Sequence, residues 1–94
     1  MSRDANRALL AALADYLGPL DDVAVRTRDW ASATFVGMQH DLTFVCSASS
    51  ALIDALPDVD LPMTGHFVAD LRLVAVDHVG DWATVAIEVL TIRD

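Results

Sequence analysis

Few side chains in this sequence are equipped for chemistry. Three histidines, His40, His66 and His78, each have an aspartate within four positions, and one cysteine, Cys46, stands in the run LTFVCSA. A histidine held by a carboxylate can serve as a general base, and a histidine pair can bind a metal. Yet His66 and His78 are twelve positions apart on one extended segment. A straight strand would separate them by about 40 Å, so they cannot share an ion within one chain. There is no HExxH, no Cys/His pair at zinc spacing and no calcium loop, and we assign no metal. His40 with Asp41, and His78 with Asp81, read as solvated turn pairs. Cys46 reads as a small buried hydrophobe, because no sequence neighbour would activate a thiol. The glycines are isolated, which excludes a phosphate loop, and the serines carry no nucleophile motif. No catalytic residue is assigned and no cofactor is expected. The ligand-binding candidates are Trp30, His40, His66 and Trp82, the aromatic and imidazole groups able to line a pocket.

Charge narrows the partners. The formal net charge is −8, and all six basic residues are scattered arginines. A phosphate backbone needs clustered cations, so nucleic acid is not an expected partner, nor is an anionic membrane surface. The longest uncharged run, Ala31 to His40, is too short to span a bilayer, and the first residues lack a signal-peptide pattern. We expect a soluble, cytoplasmic protein.

The elements that must position these groups follow from periodicity. Residues 4–17 place Leu9, Leu10, Leu13, Tyr16 and Leu17 at helical spacing, with Ser2 or Asp4 to cap the start and Gly18-Pro19 to stop it. VAVRTR, residues 23–28, reads as a short strand whose arginines suit a sheet edge. Residues 31–38 and 42–47 read as two further strands around a hairpin tip at Gln39-His40-Asp41. Residues 47–56 read as a second helix with Leu52, Ile53 and Leu56 as its buried stripe, ended by Pro57. ALADYLGPL near the start is echoed by ALIDALPDV later. A duplication would explain that, but the shared Ala, Leu, Asp and Val alphabet is the preferred account.

The stretch GHFVADLRLVAVDHVGDWATVAIEVLTI, residues 65–92, predicts a long hairpin. On one face Ala75, Leu73 and Leu71 would oppose Val85, Ile87 and Val89, with Phe67 and Ala69 beside them. The same register sets Arg72 against Glu88, and a one-residue slip would destroy both matches. The other face gathers Val68, Val74, Val76, Trp82, Leu90 and Ile92 around Arg72 and Glu88, too apolar for a face left wet.

The sequence therefore predicts one α+β domain over residues 1–94. Its antiparallel sheet has four or five strands, in the order helix, two or three strands, helix, long hairpin. Both helices pack mainly on one face. The expected buried set includes Leu9, Leu13, Leu17, Phe35, Phe44, Leu52, Leu56, Leu71, Leu73, Val85 and Ile87. A small non-enzymatic domain that pairs with itself, most simply as a homodimer, is the first functional expectation. Its interface would hold Val68, Arg72, Val74, Val76, Trp82, Glu88, Leu90 and Ile92. The alternative is a small-molecule binding module with a pocket between helices and sheet, and the third is a His/Asp enzyme. A deep cavity lined by Trp30 or Trp82 would favour the alternative. A histidine bonded to a buried aspartate beside such a cavity would favour the enzyme.

Overall fold

The computed structural model describes residues 2–94, with side chains from Ala5 onward. Helix α1 spans Ser2–Leu17. Leu9, Leu13 and Leu17 recur every fourth residue on one side and are fully or almost fully buried. Gly18 ends it in a left-handed conformation, φ 87°, and its N–H returns to the Ala14 carbonyl at 2.8 Å. The expected capping side chains of Ser2 and Asp4 lie outside the described residues.

Four strands follow: β1 Asp21–Ala31, β2 Val36–Cys46, β3 His66–Val79 and β4 Trp82–Arg93. They form one antiparallel sheet in the order β1-β2-β4-β3. Between β2 and β3 lie α2, Ser50–Asp54, and a 3-10 turn, Leu56–Asp58. Ser49 starts α2 by accepting the Leu52 N–H at 3.3 Å. The chain thus runs through helix and hairpin twice, and the second strand of each hairpin meets its counterpart at the centre of the sheet.

The first hairpin differs from the sequence expectation. Gln39-His40-Asp41 is no tip but the middle of β2, and the region holds two long strands rather than three short ones. The chain turns at Ser32–Phe35 instead. There the Ser32 N–H donates to the Phe35 carbonyl at 2.8 Å, and the Ser32 hydroxyl accepts the N–H groups of Thr34 and Phe35. Phe35, placed in that turn, is half exposed rather than buried. Leu52 is also exposed. With α2 only one turn long, Ile53 and Leu56 take the two inward positions.

In the second hairpin Leu71 faces Val89, Leu73 faces Ile87 and Arg72 faces Glu88, as the alternation predicts. The turn is the dipeptide Gly80-Asp81, with Gly80 at φ 59°. Two bulges alter the rest of β3, between Val68 and Asp70 and between Leu73 and Ala75. Each inserts one residue and so exchanges the faces beyond it. Ala75 consequently opposes Ala86, while Val76 takes the expected place opposite Val85.

One hydrophobic cluster joins the pieces. Leu9, Leu13 and Leu17 of α1 and Ile53 of α2 share it with Leu42, Phe44 and Cys46 of β2 and with Val85, Ile87 and Val89 of β4. Each large side chain removed fully from water contributes about 1.5–3 kcal/mol. Tyr16 ties the helices together by donating its hydroxyl to the Leu52 carbonyl at 2.7 Å. No helix is long and apolar enough to cross a membrane among the described residues.

At one end of the sheet β2 and β4 approach unusually closely. A Cβ on Gly37 would lie 2.3 Å from the Thr91 carbonyl oxygen and 2.9 Å from Ile92 Cδ1. Gly37→Ala should therefore force the central strands apart and cost about 1–3 kcal/mol in urea denaturation. A loss below about 0.5 kcal/mol, the range of ordinary surface changes, would contradict that approach.

Candidate functional site

His40 is the chemical centre of the helix-covered face. It continues the inward alternation of Met38, Leu42, Phe44 and Cys46 and is 0% exposed. Burying an imidazole is costly unless both ring nitrogens find partners. Here Nδ1 donates to Asn6 Oδ1 of α1 at 2.7 Å, and Nε2 accepts the Thr91 hydroxyl of β4 at 2.8 Å. Thr91 Oγ1 also lies 3.5 Å from the Met38 carbonyl oxygen. Burial pushes the His40 pKa from 6.5 down to about 4. The nearby His66 adds to the lowering, and the Asp41 carboxylate opposes it. His40 is thus a neutral ring locking helix to sheet. Its partners are an amide and a hydroxyl, so the histidine–carboxylate arrangement expected of an enzyme is not the one it makes.

Thr91 connects this cluster to a cavity of about 250 Å³ at the end of the sheet. Apolar Ala5, Val36 and Met38 line it together with Gly37 and Thr91, and three ionisable residues, Asp29, His66 and Arg93, complete the lining. Asp29 opposes Met38 on β1, and His66 opposes Arg93 across β3 and β4, so all point to the α1 side.

Among the described residues, the opposite face has no helix over it. Cross-strand rows can be followed there from β1 to β3. One row runs Arg26, Asp41, Glu88, Arg72, and Arg72 and Glu88 form an exposed salt bridge. The next runs Ala24, Thr43, Ala86, Ala75, all small, and beside it opens a groove of about 480 Å³ bordered by Val74. A third runs Trp30, Gly37, Ile92, Phe67. Ile92 is only 4% exposed, with its Cδ1 over Gly37, whereas Trp82 at the far end of β4 is 50% exposed.

The candidates taken from sequence are thus dispersed. His66 lines the small cavity and His40 sits behind its Thr91. Trp30 and Trp82 line neither cavity and stand on the uncovered face. His78 is exposed at the end of β3, with Nε2 3.5 Å from the Ser50 hydroxyl. Of the apolar residues expected on that uncovered face, Val74 and Trp82 are exposed there and Leu90 is half-buried. The bulges turn Val68 and Val76 to the core side, where both pack against the cluster. Asn6, Asp29, Thr91 and Arg93 escaped notice in the sequence. Thr91 alone left a signal, as a polar residue continuing the inward series Val85, Ile87, Val89. Among the described residues no three His, Cys, Asp or Glu side chains are grouped to hold a metal ion. No family model, curated protein or solved structure matches the chain.

The lowered His40 pKa sets a pH dependence. Below pH 6.5 the unfolded chain binds a proton that the folded chain refuses. The contribution of neutral His40 is complete above 6.5 and is lost as pH falls to about 4, roughly 3 kcal/mol in all. Urea denaturation across that interval should record the loss, and His40→Gln should lack this component. Equal pH slopes in the two proteins would rule His40 out as its source.

Proposed function

We propose that this chain is a non-enzymatic, self-associating domain whose uncovered sheet face closes on the same face of a second copy. One observation carries the proposal: that face bears both an exposed aromatic knob, Trp82, and a groove along a row of small residues, Ala24, Thr43 and Ala86. Trp82 and Ala86 lie four residues apart on β4, about 13 Å at strand rise. A two-fold axis in the interface, crossing β4 at Thr84, sets each Trp82 over the partner's Ala86. Knob and groove are then filled twice by one contact, the self-complementarity a two-fold interface requires.

Size and charge agree with this arrangement. Four strands about 4.8 Å apart, with some eleven residues each, give a face of roughly 700 Å². A standard interface takes roughly 800 Å² from each partner. Arg72 is paired with Glu88 in the same chain and Arg26 lies opposite Asp41, so the charged row is neutral before any partner arrives.

Light scattering after size exclusion should give a concentration-dependent mass rising to twice 10.1 kDa. Trp82→Ala, checked for folding by circular dichroism, should raise the dimer dissociation constant roughly thirtyfold or more, as hot-spot aromatics do. Arg7→Ala, on an exposed position of α1, should leave it unchanged. A mass near 10.1 kDa at every concentration, or equal effects of the two variants, would overturn the proposal.

A further inference from the structure

We infer that the cavity between the first turns of α1 and the end of the sheet binds a small zwitterion, with its ammonium on Asp29 and its carboxylate on Arg93 and His66. This site lies on the face opposite the proposed interface and stands or falls independently of it.

Opposite charges at two sides of one cavity are the basis. Asp29 and Arg93 both line it, yet the one salt bridge among the described residues is Arg72–Glu88, so the two do not close on each other. Asp29 is two strands from β4, and Arg93 is two residues beyond Thr91, which puts their Cα atoms about 12 Å apart. Space of about 250 Å³ remains between them. That is below the roughly 300–1,000 Å³ of pockets for drug-sized ligands, and it matches an occupant about the size of an amino acid.

Charge then decides the class. A simple carboxylate would satisfy Arg93, whose planar fork suits it, but would set a like charge before Asp29. A simple amine would do the reverse. A molecule with both ends meets each wall with the opposite charge, whereas either half meets only one of them. Thr91, locked from behind by its bond to His40, holds the intervening surface in place.

The test uses 4-aminobutyrate, with butyrate and butylamine as its two halves, titrated into the ¹⁵N-labelled protein by NMR. Saturating amide shifts at Met38, Thr91 and Arg93 are expected, with affinity at least tenfold tighter for the zwitterion than for either half. Asp29→Asn should abolish the preference over butyrate, and Arg93→Gln the preference over butylamine. Both positions are exposed, so neither change threatens the core. No saturation by about 50 mM, equal binding of the three compounds, or a preference that survives Asp29→Asn would overturn the inference.

Discussion

The pairing of β2 with β4 is the constraint on which the molecule depends. Each hairpin closes locally, but these two strands come from different halves of the chain and must find each other over a long loop. Once paired, they form the centre of the sheet, and every strand residue of the core cluster except Leu71 of β3 belongs to one of them. The helices follow from that. α1 supplies a leucine stripe and α2 a single inward turn, together enough for one face over two central strands. β1, at the margin, contributes only the partly buried Val25 to that core and has no fully buried residue.

The same pairing creates the polar feature of the core. Thr91 on β4 lies two residues beyond Val89, the residue opposite His40 on β2, and α1 brings Asn6 to the other ring nitrogen. A hydrophobic residue in place of His40 would give the helix no directional tie to the sheet. The hydrogen-bonded ring fixes where along β2 the helix starts, and beyond that start the cavity is left open.

Period-two patterning made the second hairpin legible. Leu71, Leu73, Ile87 and Val89 alternate cleanly, and the Arg72–Glu88 match added a second check on register. The bulges were hidden because Phe67-Val68-Ala69 and Leu73-Val74-Ala75-Val76 are unbroken apolar runs, so an inserted residue leaves no mark in the pattern. The first hairpin misled for a different reason. Three successive polar residues, Gln39-His40-Asp41, have the composition of a turn, whereas the true turn contains Phe35 and depends on a single serine hydroxyl. Counting His40 as an inward residue would have revealed β2 entire. Its partners, 34 and 51 positions away, could not be found by any local pattern. The symmetric strand order also gives the faint echo between the two helix ends a geometric counterpart, since two helix–hairpin units now meet about the sheet centre.

The bulges of β3 carry a further consequence. An outer strand with a regular row of free N–H and C=O groups invites another sheet to add on, and addition at an edge has no natural end: each newcomer brings a fresh edge. β3 interrupts its row twice, and β1 breaks register near Asp21 and carries charge along its length. Both margins therefore resist fibre growth. A two-fold contact of the kind proposed above would differ from edge addition in that it ends with the second copy.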